Sequence, residues 1–437
     1  MEMRVAFLAA FAAFCVFSSA DAKRYKMVAY WGQNGVYGIH KERERWEKEL
    51  DYFCKSHSYD VVVLAFNHIF FDRRNKDNMP GLNFAFHCED PVSPEYPSLL
   101  RCPLIEAGIS ECQRRGKQVL LSMGGASGSY GFASDSKAKE YAHTIWHLFL
   151  GGNNKQSLRP FGRAVLDGVD LDIEGGLSTG YTAFVKEIRK LMNTDSSRKY
   201  IIGAAPQCPF PDGFLGPRPG KALGDVGYEF DEVYVQFYNN WCHTGNQRVF
   251  YENVAKWLKF SMDSKPSGPM IFVGMPAKVG GSGNAANYRP LKEVSDIFNR
   301  LKDEPRFGGF MLWDAGFDQN NIINGKPYSQ NIVEIMNSGV VPPNPTGSPQ
   351  TLPPDTPGPG PVTTDSVPVT QPPPVPPTKP SSVSCTNLQD GHYAHPTDCS
   401  KFFICHGGIA HLRSCPGGLK WNDVRKYCDW PANVNCS

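Results

Sequence analysis

Residues 166–174 read LDGVDLDIE, and this stretch places Asp170, Asp172 and Glu174 at two-residue spacing inside an apolar run. Alternate side chains of a β-strand point to opposite faces, so the three carboxyl groups lie on one face and apolar residues lie on the other. Like charges held this close oppose one another's ionisation, and burial raises their pKa values further. The stretch therefore predicts a buried strand with at least one carboxyl group protonated near neutral pH, as a general acid requires.

Two other interpretations of this stretch are an exposed acidic strand and a metal-binding loop. The apolar residues between the acids argue for burial, and the glycines and asparagines that separate the ligands of a calcium loop are missing. The sequence contains no Cys-x-x-Cys pair or histidine cluster typical of a metal site. It also lacks a G-x-G-x-x-G or P-loop motif for a nucleotide. We therefore expect neither a metal nor a cofactor.

Short apolar or β-branched runs alternate with longer mixed segments on both sides of this strand. We predict eight strands, at Met27–Trp31, Val61–Phe66, Gln118–Met123, Gly168–Glu174, Tyr200–Ala205, Val233–Tyr238, Met270–Met275 and Phe307–Trp313. Eight such units in roughly 310 residues fit an α/β fold of the (β/α)8 TIM barrel type, whose catalytic groups lie at the carboxyl ends of the strands. Glu174, Tyr238 and Trp313 all fall at predicted strand ends.

Composition sets the frame for the whole chain of 437 residues, in which 42 glycines and 36 prolines indicate abundant loops or linkers. The net charge is +2, because 45 Lys and Arg nearly balance 43 Asp and Glu. No basic run stands out, so the sequence offers no surface typical of a nucleic-acid partner.

The first 22 residues have the pattern of a signal peptide. Arg4 precedes an apolar stretch from Val5 to Phe17, and small residues end at Ala22. A membrane anchor is the alternative, but the apolar stretch is shorter than the roughly 20 residues that a spanning helix needs. Of the 13 cysteines, Cys15 leaves with the signal and the even remainder suits an oxidising compartment. We expect a secreted, extracellular protein with no membrane partner.

The chain after residue 340 changes character twice. Residues 341–384 are rich in Pro, Thr and Ser and carry almost no large apolar side chains, which predicts an extended, semi-rigid linker. Residues 385–437 hold six cysteines and several aromatic residues. A segment of about 50 residues cannot build an adequate core without staples, so we predict a small disulfide-rich β module. The proposed catalytic barrel occupies residues 23–340.

Several motifs around the acidic strand carry a family resemblance. The spelling DGVDLDIE resembles the D-x-x-D-x-D-x-E signature of glycoside hydrolase family 18, the family of chitinases. Further matches occur in the expected order, reading AYWGQN at 29–34, LSMGG at 121–125, QFYNN at 236–240 and GFMLWD at 309–314. Together they are similar to the compact plant and fungal class III chitinases across about residues 25 to 338.

The resemblance implies a role for each residue of the centre. Glu174 would be the general acid, and the 2-acetamido oxygen of the substrate would attack in place of a second carboxylate, with overall retention. Asp172 would orient that acetamido group, Tyr238 would donate a hydrogen bond to its oxygen, and Asp170 would tune the charge of Asp172. Trp313 would form the floor under the reacting sugar.

Other residues of these motifs have two open interpretations. Gln33, Gln236 and Asn239 either line the sugar groove or serve as buried scaffold residues. Only about 30 residues separate the seventh and eighth predicted strands. That is too few for the additional α+β module of many animal and bacterial relatives, so we expect an open, shallow groove.

The cysteines also match in order. By resemblance to class III enzymes, we expect the barrel pairs Cys54–Cys112, Cys88–Cys102 and Cys208–Cys242. The spacing of the tail cysteines is similar to that of peritrophin-A chitin-binding domains, whose pairing would give Cys385–Cys405, Cys399–Cys436 and Cys415–Cys428. A generic extracellular cysteine-rich module is the alternative. The tail is rich in aromatic residues, and Trp421 and Trp430 are candidates to stack on sugar.

These observations predict a monomeric, secreted endo-chitinase that acts on chitin and chitin oligosaccharides. Hydrolysis of other polymers with the acetamido group, such as peptidoglycan or the cores of N-glycans, is one alternative. A non-catalytic chitin-binding lectin or coat protein is another. The presence of Glu174, Asp172 and Tyr238 together favours the enzyme, because inactive relatives usually lose at least one of them.

Overall fold

The computed structural model describes residues 25–343 and, in the tail, 391–406, 409–415, 420–423 and 427–429 together with Pro431 and Val434. The predicted signal peptide at 1–22 lies outside the described residues, as does the linker beyond residue 343. Their boundaries therefore stay predictions.

Eight parallel strands close into a barrel, and a ninth, short strand pairs antiparallel with one of them. The strands are β1 Lys26–Trp31, β2 Val61–Ile69, β3 Gly81–Leu82, β4 Gln118–Gly125, β5 Gly168–Ile173, β6 Ile201–Ala204, β7 Glu232–Gln236, β8 Met270–Pro276 and β9 Phe307–Trp313. Around the barrel the order is β1-β9-β8-β7-β6-β5-β4-β2, β2 pairs with β1, and the antiparallel strand β3 pairs with β2. The predicted TIM barrel is thus confirmed, and the ends of its strands differ from the prediction by three residues at most.

Helices cover the outside of the barrel: α1 Leu50–Ser56, α2 Pro103–Arg114, α3 Asp135–Phe149, α4 Tyr181–Met192, α5 Ala222–Val226, α6 Gln247–Asp263, α7 Leu291–Leu301, α8 Ala315–Gln319 and α9 Tyr328–Ser338. Helix α7 shows why they form, because Leu291, Val294, Phe298 and Leu301 recur at helical spacing and are all buried. After it, the short strands β10 Ile322–Ile323 and β11 Lys326–Pro327 form a hairpin.

The barrel has two apolar layers, and the alternation in β5 explains them. Val169, Leu171 and Ile173 point outward and are buried in the core between strands and helices. A second cluster fills the barrel interior, with Tyr30 and Tyr234 among its members. The acidic face of β5 therefore points into the barrel, where burial is complete at Asp170.

The connection from β8 to β9 contains one 3-10 turn and helix α7. Residues 277–306 are all described, and they contain no additional α+β module beside the barrel mouth. In the ranges that the structure covers, no helix combines the length and apolar character needed to cross a bilayer.

Three disulfides brace the barrel domain, and they are the pairs that the resemblance implied: Cys54–Cys112, Cys88–Cys102 and Cys208–Cys242. In the tail, Cys399 and Cys415 each take part in a disulfide bond. The side chains of Cys385, Cys405, Cys428 and Cys436 lie outside the described part, so the three tail pairings stay predictions.

The described tail forms two small antiparallel sheets, one of β12 Gly391–Ala394, β13 Lys401–His406 and β14 Ile409–Ser414, the other of β15 Lys420–Asn422 and β16 Tyr427–Asp429. Trp421 is 4% exposed and stacks on Phe402 at 4.2 Å between ring centroids. The structure therefore places Trp421 in the packed interior of the described tail, and its contact with sugar stays a prediction that this burial argues against. Trp430 lies outside the described residues.

Candidate active site

The three acids of β5 form a row of increasing exposure from the barrel interior to its mouth. Asp170 is fully buried and Asp172 is 4% exposed, whereas Glu174 is partly exposed. Strand β5 ends at Ile173, so Glu174 leaves the hydrogen-bonded ladder at the carboxyl edge of the barrel. Of the three carboxyl groups, the one on Glu174 is the most accessible to a ligand from solvent.

Asp170 is held at the bottom of the row by two hydroxyl groups. Tyr30 on β1 and Ser122 on β4 each donate a hydrogen bond of 2.7 Å to its Oδ2. Its Oδ1 has no hydrogen-bond partner among the described residues. Burial raises the pKa of Asp170 to about 6, against the effect of the two hydrogen bonds. A carboxyl group with this pKa carries a proton in mildly acidic solution and reduces the charge beneath Asp172.

Asp172 occupies the centre of the site. Gln236 at the end of β7 donates a 2.8 Å hydrogen bond to its Oδ1. Burial raises the pKa of Asp172 well above its usual range, and the charges of Glu174, Asp170 and Asp212 add to the rise. On the neighbouring strand, Gly124 must be glycine, because a Cβ there would lie 2.2 Å from the carbonyl oxygen of Asp172.

Glu174 accepts a hydrogen bond of 3.1 Å from Nε2 of Gln207. Burial raises the pKa of Glu174, hydrogen bonds from Gln207 and Gln236 oppose that rise, and the charge of Asp212 adds to it. The Asp212 carboxylate itself accepts the backbone amides of Phe214 and Leu215 at 2.9 and 2.7 Å. A raised pKa keeps Glu174 protonated to a higher pH than an exposed glutamate.

Tyr238 and Trp313 flank the acidic row. Tyr238 is 7% exposed, and burial followed by the charges of Asp172 and Glu174 raises its pKa well above 10, so its hydroxyl remains a hydrogen-bond donor. Trp313 is partly exposed at the end of β9 and stacks on Phe66 with centroids 6.0 Å apart. It also contacts Tyr30, the residue that binds Asp170.

Of the three remaining predicted polar residues, one contacts the acids and two make contacts that support loops. Gln236 belongs to the site, because its amide is bound to Asp172. Gln33 is partly exposed, but its amide donates to the backbone oxygens of Ala65 and Asn83 at 2.8 and 3.0 Å, which is a scaffold contact. Asn239 is exposed, and its Oδ1 accepts the amide of Gly283 at 2.8 Å, so it braces two loops.

Sequence reasoning missed five residues of this site. Three of them, Tyr30, Ser122 and Asn240, stand inside motifs already recognised, but their contacts depend on barrel closure. The other two are Gln207 and Asp212. Gln207 lies three residues after the end of β6, and a polar residue near the carboxyl end of a barrel strand was the signal that could have revealed it. In the described ranges, no group of three or more His, Cys, Asp or Glu side chains is arranged to hold a metal ion.

Comparison with known proteins gives two family matches. Residues 26–289 match the glycosyl hydrolases family 18, and residues 385–436 match the chitin-binding peritrophin-A domain. Chitinase 2 of Rhizopus oligosporus is 40% identical over 293 residues, which are 67% of this chain and 49% of that protein. The chain spans about half the length of the first curated relatives it matches.

Solved structures share the barrel. A chitinase from Ipomoea carnea superposes with a TM-score of 0.57 at 28% identity, covering 71% of this chain and 99% of that one. A xylanase and α-amylase inhibitor protein from Scadoxus multiflorus superposes with a TM-score of 0.56, also at 28% identity, covering 71% and 98%. This fold is therefore found in proteins described as enzymes and in proteins described as inhibitors.

Proposed function

Because the chain belongs to glycosyl hydrolase family 18, we propose that it is a secreted endo-acting chitinase that hydrolyses β-1,4 linkages between N-acetylglucosamine units. The observation that carries the proposal is the row of carboxyl groups that ends in partly exposed Glu174, with raised pKa values along it. Glycoside hydrolysis needs a proton donor at the leaving oxygen and a group that stabilises the positive charge on the anomeric carbon. This row supplies both.

In the first step, Glu174 gives its proton to the glycosidic oxygen as the bond from that oxygen to the anomeric carbon breaks. The carbonyl oxygen of the sugar's own 2-acetamido group forms a new bond to the same carbon, which gives an oxazolinium ring. Asp172, held by Gln236, stabilises the positive charge on the acetamido nitrogen. Tyr238 donates to the acetamido oxygen. Asp170 lies below Asp172 and moderates the charge of the row.

In the second step, a water molecule attacks the anomeric carbon and opens the ring. Glu174, now ionised, accepts the proton of that water, which restores the carboxylic acid. Two inversions at one carbon give overall retention, so the first product is the β-anomer. Trp313 presents a flat apolar face for the pyranose at the reacting position.

The C-terminal module, which matches the peritrophin-A domain, would hold the enzyme on insoluble chitin. A tether of this kind raises the local concentration of the barrel on the polymer, by an amount that depends on linker reach. The signal-like segment at 1–22 and the barrel disulfides support secretion. The proposed enzyme works as a monomer, without a metal or cofactor, and has no nucleic-acid or membrane partner.

Two other functions remain candidates. Hydrolysis of peptidoglycan or N-glycan cores would use the same centre, since both substrates carry the acetamido group. A non-catalytic chitin-binding lectin or coat protein is the other candidate, and a protein described as an inhibitor has a similar barrel. The presence of Asp172, Glu174 and Tyr238 in one site supports the enzyme over the non-catalytic candidates.

The substitution Glu174→Gln tests the proposal. It keeps the shape of the side chain and removes the proton, so turnover of chitin oligomers is expected to fall by about a hundred- to ten-thousand-fold. Glu140→Gln on the exposed face of α3 is the control and should keep the wild-type rate. NMR of the initial products should show the β-anomer. More than about a tenth of wild-type turnover in Glu174→Gln would reject the assignment of the acid.

Assays with different substrates distinguish the candidate functions. If the acetamido group supplies the nucleophile, fully deacetylated polymer should not be cleaved. Comparable rates on acetylated and deacetylated polymers would contradict substrate assistance. Cleavage of peptidoglycan in preference to chitin oligomers would favour the second hydrolase, and binding of oligomers without any cleavage would favour the lectin.

A further inference from the structure

A chain of two side-chain amides ends on Glu174. Nε2 of Gln207 donates to Oε2 of Glu174 at 3.1 Å, and Nδ2 of Asn240 donates to Oε1 of Gln207 at 3.2 Å. Both ends of the Gln207 amide are therefore occupied. An amide bound at its oxygen and at its nitrogen has one orientation, because exchanging the two atoms would break both bonds.

The two amides stand on neighbouring loops that are joined covalently. Gln207 follows β6 and Asn240 follows β7, and the Cys208–Cys242 disulfide links these two loops one and two residues further along the chain. The carbonyl of Cys208 also accepts a 3.1 Å hydrogen bond from Nε1 of Trp257 in α6. This bracing restricts the separation of the two loops, and with it the geometry of the amide chain.

We propose that Gln207, held by Asn240 and by the Cys208–Cys242 disulfide, is a positioning residue that fixes the Glu174 carboxyl group for proton transfer. The proposal rests on the proposed function, in which Glu174 is the acid. The hydrogen bond acts in both steps. It restricts rotation of the carboxyl group before the proton leaves, and it stabilises the carboxylate that remains until water returns a proton.

Charged and titratable groups on its own strand and on three neighbouring loops also face Glu174. They are Asp172 on β5, Asp212 in the loop after β6, Tyr238 after β7 and Tyr130 after β4. The hydroxyl of Tyr130 donates to the carbonyl of Gly125. The two tyrosines are uncharged near neutral pH, and their raised pKa values keep them so to higher pH. The charge of Asp212 opposes ionisation of Glu174, and the charge of Glu174 in turn raises the pKa of Asp172. The hydrogen bond from the Gln207 amide favours the ionised form of Glu174 and so opposes the effect of Asp212.

The test is the pH dependence of kcat/KM for a chitin oligomer in the full-length protein, since this parameter reports the ionisation of the free enzyme. Gln207→Leu removes the donor and should move the alkaline limb upward by about one pH unit, with a fall of about ten-fold in kcat. Asn240→Ala frees the Gln207 amide and should move the limb in the same direction by a smaller amount.

Gln113→Leu provides a matched control. Gln113 in α2 donates a 2.9 Å hydrogen bond to the carboxylate of Asp167, the residue immediately before β5. Its loss removes the same kind of bond without touching Glu174, so the limb should stay in place. Thermal unfolding of each variant establishes that it is folded. If Gln207→Leu does not fold, Asn240→Ala carries the test, because Asn240 is partly exposed.

A second readout does not need activity. NMR titration of protein labelled at the glutamate carboxyl carbons, with the Glu174 signal assigned through Glu174→Gln, should show the same upward shift in Gln207→Leu. Wild-type protein that cleaves no oligomer would reject the proposed function, whereas the titration would still report on the hydrogen bond. An alkaline limb and a Glu174 titration that stay in place in the folded variants would overturn the role of Gln207.

Discussion

The side-chain amide of Gln236 donates one hydrogen bond of 2.8 Å to Oδ1 of Asp172 and a second of 2.9 Å to the carbonyl oxygen of Ala205. The second bond fixes the amide against the backbone at the end of β6. The orientation of the group that donates to Asp172 is therefore fixed. Gln236 is 5% exposed, which leaves it little access to solvent water. Asp172 is therefore held in one orientation before a substrate arrives.

The first prediction concerns this pair. Gln236→Leu should lower kcat/KM for chitin oligomers by about ten- to a hundred-fold, because the Asp172 carboxyl loses its donor and its orientation. Steady-state kinetics with a soluble tetramer measures the loss. Gln33→Leu is the comparison, because its amide binds backbone oxygens of Ala65 and Asn83. A loss in Gln236→Leu no larger than the loss in Gln33→Leu would contradict the role of Gln236.

The second prediction concerns Asp212, whose charge helps to raise the pKa of Asp172 and Glu174. Asp212→Asn removes that charge, while the asparagine oxygen can still accept the amides of Phe214 and Leu215. The pKa of Glu174 should fall, and the alkaline limb of kcat/KM should move to lower pH by a few tenths of a unit. This direction is opposite to the one expected for Gln207→Leu. An upward shift in Asp212→Asn would show that its charge does not act on the acid.

A buried ion pair lies behind the loops at the ends of β1 and β9. Nε2 of His87 contacts Oε2 of Glu47 at 3.1 Å, and both side chains are fully buried. The Glu47 carboxylate also accepts the amides of Gly32 and Asn34, the neighbours of Gln33, and the amide of Gly316. Burial lowers the pKa of His87. The hydrogen bonds and charges of Glu47 and Glu49 outweigh burial and raise this pKa to about 9.

The third prediction follows from that pKa. The folded-state pKa is above the unfolded value of about 6.5, so the stabilisation by the His87 proton is fully present below pH 6.5. It should be lost as the pH rises to about 9, with a fall of about 3 kcal/mol in the free energy of unfolding. His87→Gln should remove this dependence and destabilise the protein at pH 6 by about 3 kcal/mol or more, because Glu47 stays buried without its cation.

Urea unfolding between pH 6 and pH 9 measures both effects. Glu49→Gln is the control, because Glu49 is the more distant partner, at 3.4 Å, and its side chain is 41% exposed. It should lose less stability than His87→Gln. Parallel pH profiles of wild type and His87→Gln would refute the assignment of the proton to His87.

The fourth prediction concerns the tail. A chain that ends after Val340 should keep its activity on soluble oligomers, which meet the barrel alone, and should bind crystalline chitin more weakly. A chain that ends after Ser384 keeps the linker and lacks the module, so it separates the effect of the linker from that of the module. Pull-down on insoluble chitin measures binding. Equal binding of all three forms would show that the module is not a chitin anchor.

Within the module, the two tryptophans should behave differently. Trp421→Ala removes a buried indole that stacks on Phe402, a change that typically costs about 3–5 kcal/mol, so binding should be lost together with the fold. Trp430→Ala should weaken chitin binding with the disulfides intact if its indole contacts sugar. Disulfide mapping of both variants distinguishes the two effects.

The eight strands and the acidic row could be predicted from the sequence because they depend on local patterns. Apolar runs and β-branched residues at regular intervals predicted the barrel, and the two-residue spacing of Asp170, Asp172 and Glu174 placed them on one face of β5. The composition change after residue 340 predicted a linker and a second module. These patterns can be detected within short windows of sequence, so no tertiary information was needed.

Only the tertiary structure decided which side chains contact those acids. Tyr30 lies 140 residues from Asp170, and Gln207 lies 33 residues from Glu174, yet each is within a hydrogen bond of its acid. Such contacts form when the barrel closes and brings distant strands together. The spacing of residues in the sequence does not predict them. The same holds for Trp421, because an aromatic residue in a small module can fill the core or bind a ligand. The packing of Phe402 against its ring, and not its position in the sequence, assigned this tryptophan to the core.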